Sequence, residues 1–365
     1  MFTILHLIPT LEGGGTERQL SMLATEQAKR GWCVNVGIRR GGVYEKSLRD
    51  SGVMVYLLGD HKGINPKLLV RISALVKHCK PDIIQTWLPQ MDIVGGIVAL
   101  WNSVPWIASE RANGFYFQDF KFQFWVRRCL VSFASGVVAN SANGAAYWRE
   151  MLPAGVLVFQ VANAVDVANI RNAVSVSSKA SNSNDGLRDI LVVGRLSPEK
   201  SFGTIIQAVY LVPEKHDIRV SIVGDGPLRE VIEVSIREAG LNERISVYPF
   251  RPDWWGLLNN ASALVSMSRF EGHPNVLLET MAAGCPLIVS DIPAHREFLD
   301  EKSAIMVAQD NPAMLAEAII SILSDPVSAR QRAERASISV AGSKIQLTAD
   351  AYEIIYEKVI SGRAK

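Results

Sequence analysis

One pattern constrains this chain more than any other: short, β-branched apolar runs alternate with stretches long enough for an amphipathic helix. In the first half the runs are Phe2–Ile8, Cys33–Ile38, Val53–Leu58, Asp82–Thr86, Trp106–Ser109, Gly136–Asn140 and Val156–Val161. In the second half they are Asp189–Val193, Arg219–Val223, Ile245–Pro249, Ala263–Ser266, Leu287–Ser290 and Ala304–Val307. Near-continuous apolar strands alternating with helices predict parallel sheets covered on both faces. Six or seven such units per half make two sheets rather than one barrel, and 365 residues accommodate two domains of ordinary size.

The Ser- and Asn-rich run SVSSKASNSNDG has little to bury. It places an exposed linker at 171–187, between an N-terminal domain, 1–170, and a C-terminal domain, 188–345. The end of the chain, 346–365, reads as an amphipathic helix with Leu347, Tyr352, Ile355 and Val359 on one face and no strand after it. A net charge of +2 argues against nucleic acid as the main partner. The cysteines at 33, 79, 129 and 285 have no C-x-x-C spacing and read as reduced thiols of a cytoplasmic protein. The uncharged runs Ile93–Ser109 and Cys129–Trp148 are interrupted by polar residues, Gly or Pro. Each reads as a helix against a buried strand rather than a membrane span. The start of the chain lacks the basic flank and long apolar run of a signal peptide.

Three motifs carry chemistry. Gly13, Gly14 and Gly15 follow the first strand and open a helix. Glycines let the backbone approach an anion, and the helix start offers N–H donors. Thr16 and Gln19 match a capping box there. No acidic residue ends the second strand; Arg39 and Arg40 stand there instead, against a dinucleotide oxidoreductase. In the second half, Gly194, Arg195 and Lys200 lie past a strand end, where open α/β sheets bind ligands, and two cations across a turn suit a diphosphate. The third motif runs from Arg269 through Glu271, Pro274, Asn275, Val276 and Leu277 to Glu279. Two acids flanking a helix start, whose N–H groups at 275–277 are expected to be open, suit a sugar nucleotide. Glu279 stands among Leu278, Met281 and Ala282, so burial and a partner are expected for it.

Taken in order, the glycine loop, Gly194-Arg195-Leu196 with Lys200, Gly224-Asp225-Gly226-Pro227, and Glu271-x7-Glu279 followed by Ala283-Gly284-Cys285-Pro286 resemble the large retaining glycosyltransferase family of GT-B fold. That family includes bacterial surface-polysaccharide enzymes, and the resemblance spans essentially the whole chain. It implies two Rossmann-like parallel-sheet domains facing across a cleft, with the C-terminal helix packed back on the N-terminal domain. It further implies that Arg195 and Lys200 bind the donor diphosphate, Glu279 the ribose and Glu271 the donor sugar, supported by the backbone of Asn275, Val276 and Leu277. Gly14 and Gly15 would face the diphosphate from the other domain, and the base would lie near Tyr248–Arg251, Phe250 among them, and Asp225–Pro227. The implied activity is retaining transfer of a hexosyl or N-acetylhexosaminyl group from a UDP-linked donor to a saccharide or polyprenyl-diphosphate-linked acceptor, in polysaccharide biosynthesis at the inner face of the cell membrane. A nucleotide-sugar epimerase or hydrolase on the same frame, or a silent binding subunit, is the alternative. No cofactor or metal is expected.

Two departures matter. Glu110 and Arg111 stand where many members place a histidine, and His273 replaces a more usual aromatic. The remaining histidines, His295 among them, lack metal-ligand spacing. Glu110, Arg111, Phe115, Tyr116, Phe117, Lys121, Arg127 and Arg128 are candidates for acceptor or membrane contact, because aromatics mixed with cations suit an interface. The plainer reading of that segment is a helix burying Phe122, Trp125 and Val126, with Arg127 and Arg128 in solvent.

Overall fold

The computed structural model describes residues 2–59, 65–111, 121–180 and 188–362. It divides into two compact units, Met1–Ala164 with Ser343–Lys365, and Val165–Gly342. Strands occur at all thirteen places where the apolar runs put them.

Unit 1 holds β1 (Thr3–Ile8), β2 (Cys33–Ile38), β3 (Met54–Leu57), β4 (Ile83–Trp87), β5 (Trp106–Glu110), β6 (Gly136–Ala139) and β7 (Leu157–Gln160). They form one sheet in the order β3-β2-β1-β4-β5-β6-β7, every pair parallel. The strand order reverses between β1 and β4, the position where such sheets open a crevice at their carboxyl ends. Side chains alternate along β1, so Ile4 and Ile8 enter one core layer with Leu20, Leu23 and Trp32, while Leu5 and Leu7 enter the opposite layer with Ile84, Met91 and Trp106.

The helix Ile345–Ser361 belongs to this unit and packs beside the helix Gly15–Lys29. Tyr352, Ile355, Tyr356 and Val359 complete the first core layer, whereas Leu347 is exposed. Arg30 clamps the helix from outside through Asp350 at 2.8 Å and Glu353 at 3.1 Å. Beneath it runs a buried polar chain. Trp87 Nε1 donates to His6 Nδ1 at 3.2 Å, which leaves His6 Nε2 to donate to Gln27 Oε1 at 2.9 Å. The amide of Gln27 reaches the Tyr356 hydroxyl, which donates to Gln85 Oε1, and Gln85 Nε2 donates to Ser109 at 2.7 Å.

Unit 2 holds β8 (Arg188–Val193), β9 (Ile218–Val223), β10 (Ile245–Tyr248), β11 (Ala261–Ser266), β12 (Leu287–Ser290) and β13 (Ile305–Val307), again parallel throughout, in the order β10-β9-β8-β11-β12-β13. Here the reversal lies between β8 and β11. One core layer gathers Ile190, Val192, Ile222 and Val265; the other gathers Leu191, Val193, Leu264, Leu278 and Met281.

The expected linker needs correction. Residues as far as Ala180 form the helix Val167–Ala180 of unit 2, with Ile170 fully buried against Trp254 and Leu258. Ile170 and Val174, four residues apart on one buried face, outweigh the Ser-rich composition, and the division falls at 164/165 rather than 170. Residues 181–187 lie outside the described ones.

Burial holds the His6 imidazole pKa down to about 4, against its Gln27 hydrogen bond, which raises it, and with Arg111, which lowers it further. Between pH 6.5 and 4 the unfolded chain therefore binds the extra proton. Stability fully present above pH 6.5 should fall by about 3 kcal/mol as pH drops to 4 from this residue alone. Urea midpoints of the wild type and His6→Gln across that range check this; parallel pH profiles would contradict it.

Candidate functional site

In unit 2 three loops at the carboxyl ends of β8, β9 and β10 are tied together by backbone. Gly194 N–H donates to Val223 O at 3.1 Å, Leu196 N–H to Asp225 O at 2.9 Å, and Leu228 N–H to Leu196 O at 3.0 Å. The approach is too close for side chains: a Cβ on Gly224 would stand 1.9 Å from the Gly194 carbonyl oxygen, and one on Gly226 2.4 Å from that of Leu196. Asp225 accepts from the Phe250 N–H at 2.9 Å and pairs with Arg229 at 3.3 Å. The glycines near Asp225 thus serve loop-on-loop packing, which fixes where Arg195 and Phe250 stand. Arg195 is exposed on the first loop and Phe250 half-buried on the third.

The acids come from the fourth strand end. Lys200 closes a single 3-10 turn, Pro198–Lys200, and its Nζ meets Glu271 Oε1 at 2.5 Å. Ser268 Oγ donates to the same oxygen at 2.8 Å. Burial pushes the Glu271 carboxyl pKa up, but Lys200, with His295 and Ser268, outweighs that and holds it below the ordinary carboxylate value. Glu271 is therefore an anion across the neutral range. The loop is pinned on both sides: Arg269 N–H donates to Glu199 O at 2.8 Å, and its guanidinium pairs with Asp310 at 3.1 Å.

Glu279 lies eight residues on, in the helix Asn275–Ala283, and is 5% exposed. Its Oε2 accepts from Trp255 Nε1 at 2.8 Å, so the buried acid has the partner its apolar neighbours call for. The helix start differs from expectation. Asn275 N–H is bonded to His273 O at 2.9 Å and Leu277 N–H to Pro274 O at 3.0 Å, so neither is open to a ligand. Pro274 bends the chain into a tight turn that uses these donors itself. His273 packs edge-on against Phe298, with ring centroids 4.8 Å apart.

A third polar group stands behind this pair. His295, in the short helix Pro293–Arg296 after β12, is completely buried and donates from Nδ1 to Ser290 O at 2.8 Å. Ser290 Oγ in turn donates to Ser268 O at 2.5 Å, so His295, Ser290, Ser268 and Glu271 form one connected network. Metal-ligand spacing was the wrong filter for His295; its place just beyond a strand end was the available signal.

Unit 1 carries the glycine loop. The helix starts at Gly15 with Gly14 as its cap, but without a side-chain cap bond. The capping box is not formed because Gln19 is used in tertiary structure: its amide donates to Ala164 O at 2.8 Å and accepts from Ala164 N at 2.9 Å. Glu17 curls back so that a Cβ on Gly14 would stand 2.3 Å from its Oε2, and Thr10 donates to Glu17 at 3.1 Å. A carboxylate of the chain itself therefore lies over the loop where an anion was expected. Beside it, the backbone N–H groups of Arg39 and Arg40 donate to Pro9 O, and Arg40 pairs with Glu12 at 3.3 Å.

The acceptor candidates divide sharply. Arg127 is 1% exposed and pairs with Asp92 at 2.7 Å and Glu110 at 2.8 Å; Trp148 Nε1 adds a bond to Glu110 at 2.8 Å. Burial works against the Arg127 charge, but Glu110 and Asp92 outweigh it and raise its pKa. Glu110 and Arg127 thus fasten the helix Lys121–Val131 to the sheet and are not available to an acceptor or membrane. Arg111 is also structural in its contacts: it lies 4.3 Å over the Trp87 ring and donates to Asn163 at 2.7 Å and Tyr352 at 2.6 Å. The packing expectation for the helix is inverted, since Arg127 faces inward while Phe122, 75% exposed, and Trp125, 58% exposed, stack on each other outside with Arg128 nearby in sequence. Phe115, Tyr116 and Phe117 lie outside the described residues, as does the side chain of Lys121.

Among the described residues no group of three or more His, Cys, Asp or Glu could hold a metal ion, and no single helix is long and apolar enough to cross a membrane.

Comparison with known proteins places this geometry. Residues 13–169 match the Glycosyltransferase Family 4 profile, and residues 175–339 match Glycosyl transferases group 1. The chain is 28% identical over 167 residues to the N-acetylgalactosamine-N,N'-diacetylbacillosaminyl-diphospho-undecaprenol 4-alpha-N-acetylgalactosaminyltransferase of Campylobacter jejuni, covering 45% of this chain and 43% of that protein. It is 25% identical over 243 residues to the UDP-Gal:alpha-D-GlcNAc-diphosphoundecaprenol alpha-1,3-galactosyltransferase of Escherichia coli, covering 62% of each. The chain thus spans less than two thirds of the length of either relative. In structure it superposes on HepE of Anabaena, solved with UDP and glucose, with a TM-score of 0.85 at 19% identity over 98% of this chain and 100% of that one. That likeness shows the GT-B fold.

Proposed function

Starting from a chain that belongs to the group 1 and family 4 glycosyltransferases, we propose that it transfers a hexosyl or N-acetylhexosaminyl group from a UDP-linked donor to a saccharide or polyprenyl-diphosphate-linked acceptor, with retention of configuration. The observation that carries this reading is the 2.5 Å Lys200–Glu271 pair, with the Trp255-held Glu279 eight residues further along. The arrangement supplies what a sugar nucleotide needs, in order: a cation for the diphosphate, an anion for sugar hydroxyls, and a second carboxylate for a diol. The relatives named for UDP-galactose and for diphosphoundecaprenol-linked acceptors support the donor and acceptor classes.

In this reading the diphosphate draws Lys200 away from Glu271. Lys200 and Arg195 then stabilise the negative charge that grows on the leaving group as the glycosidic bond breaks. Glu271, released, accepts hydrogen bonds from the sugar and positions it. The departing diphosphate oxygen takes the proton of the incoming hydroxyl on the same face, so no protein nucleophile is required. Glu279 holds the ribose, and the base lies beside Phe250. The work is done without a divalent ion.

Two predictions follow from these roles. Glu279→Ala should weaken UDP-sugar binding by about 1.5–3 kcal/mol, a charge-assisted hydrogen bond, while the double variant Arg195→Ala, Lys200→Ala should lose kcat more than affinity. Calorimetry and steady-state kinetics with and without chelator check this. Unchanged affinity in folded Glu279→Ala, or activity abolished by chelator, would contradict the assignment.

The exposed Phe122–Trp125 stack, with Arg128 following, is proposed as a membrane-interface contact. Replacing both aromatics with Ser should reduce flotation with anionic liposomes while leaving donor hydrolysis and the melting temperature in place; equal flotation would remove the contact.

A further inference from the structure

One nitrogen of His295 has no hydrogen-bond partner among the described residues. Its Nδ1 must carry the proton, because the Ser290 carbonyl 2.8 Å away can only accept. The other nitrogen, Nε2, is then an acceptor, fully buried, and it makes no hydrogen bond among the described residues. An unsatisfied buried acceptor is costly, and native interiors keep such groups where a ligand or water completes them. Hydrogen bonds through Ser290 and Ser268 connect the ring to Glu271 of the donor-site ion pair, and Glu271, Lys200 and Asp291 act on its charge. Burial keeps the imidazole pKa below its ordinary value, so the ring is neutral at physiological pH.

The chemistry of the missing partner is restricted. A neutral imidazole lone pair accepts and does not donate, so it repels a phosphate oxygen and requires an O–H or N–H group. Lys200 is a cationic donor acting on it, and the diphosphate claims Lys200 when the nucleotide binds. What arrives together with the diphosphate is a sugar rich in hydroxyl donors. Donor binding parts the Lys200–Glu271 pair in any case, and the ring is tied to that pair through Ser290 and Ser268.

We propose that His295 is a specificity-determining residue of the donor site, its Nε2 accepting a hydrogen bond from one hydroxyl group of the donor sugar next to those held by Glu271. This inference rests on the reading of unit 2 as the UDP-sugar site. Serine residues on both sides make it more than a chance neighbour: Ser290 fixes the ring by its carbonyl, and its hydroxyl is bonded to Ser268, which binds Glu271. The imidazole and the carboxylate are thereby held in one frame, two acceptors for two sugar hydroxyls.

The test is a substrate cycle. UDP-sugar and its monodeoxy analogues, each lacking one hydroxyl, are assayed with the wild type and with His295→Phe, which keeps the ring and removes both nitrogens. His295→Phe should lower kcat/KM for the parent donor by about tenfold and leave affinity for UDP itself unchanged. One monodeoxy donor should lower the wild type by a similar factor and show no further loss in the variant. A penalty that is equal on every deoxy donor, or a parallel loss of UDP affinity, would overturn the proposal by showing a purely structural role. Independently of folding in the variant, the 15N resonance of His295 Nε2 in the wild type should move further on adding UDP-sugar than on adding UDP, which draws Lys200 away without supplying a sugar hydroxyl; equal shifts with the two ligands overturn it. A wild type that binds neither UDP nor UDP-sugar would instead remove the donor-site reading, and the inference with it.

Discussion

The candidate site turns on one ion pair, Lys200 with Glu271 at 2.5 Å. A carboxylate and an ammonium withdrawn from bulk water attract strongly, and each would be costly to leave alone. The surrounding hydrogen bonds follow from this. Ser268 shares the oxygen that Lys200 takes, Ser290 holds Ser268, and His295 is fixed by Ser290. On the other side the 3-10 turn that ends in Lys200 gives its Glu199 carbonyl to Arg269, so the two loops are joined by backbone as well as by charge. A resting pair of this kind is also a means of selection. A ligand that satisfies both partners must offer an anion to one and donors to the other, which a nucleoside diphosphate sugar does and free phosphate or free sugar does not.

The pair can form only because of the sheet. In a parallel sheet all strands end on one side, so loops far apart in sequence gather there. Lys200 follows β8 and Glu271 follows β11, neighbours across the reversal in strand order, although 71 positions separate them. The glycines at 224 and 226 permit the next contact inward, where loops from β8 and β9 lie so close that a single methyl group would collide with backbone. Unit 1 applies the same geometry to a different end. There the buried charges, Arg127 with Asp92 and Glu110, fasten a helix whose outer face displays Phe122 and Trp125.

How much of this could be read from the residues depends on whether local pattern or tertiary contact decides. The strands were legible from their short apolar runs, most plainly where both faces are buried, as in β4 and β5. Glu279 was legible as a buried, partnered acid from Leu278, Met281 and Ala282 around it, though its partner Trp255 was not. The failures share one cause. Thr16 and Gln19 have capping-box spacing, yet the backbone of Ala164 competes for Gln19 and wins. Arg127 looked solvated because charge normally is, and only Asp92 and Glu110 from other elements make its burial tolerable. The Ser-rich stretch looked like a linker because composition was weighed above the apolar spacing that carries the helix Val167–Ala180. His295 was passed over because it was weighed by metal-ligand spacing alone; its place beyond β12 pointed to the site, but its link to Glu271 through Ser290 and Ser268 is made only in space.

The most direct measurement is a high-resolution crystal structure of the protein with UDP bound. The account predicts that Lys200 Nζ leaves Glu271 and lies within hydrogen-bond distance, about 2.7–2.9 Å, of a diphosphate oxygen, with the ribose diol on Glu279. UDP bound with the Lys200–Glu271 pair still closed and the diphosphate held by other residues would contradict it.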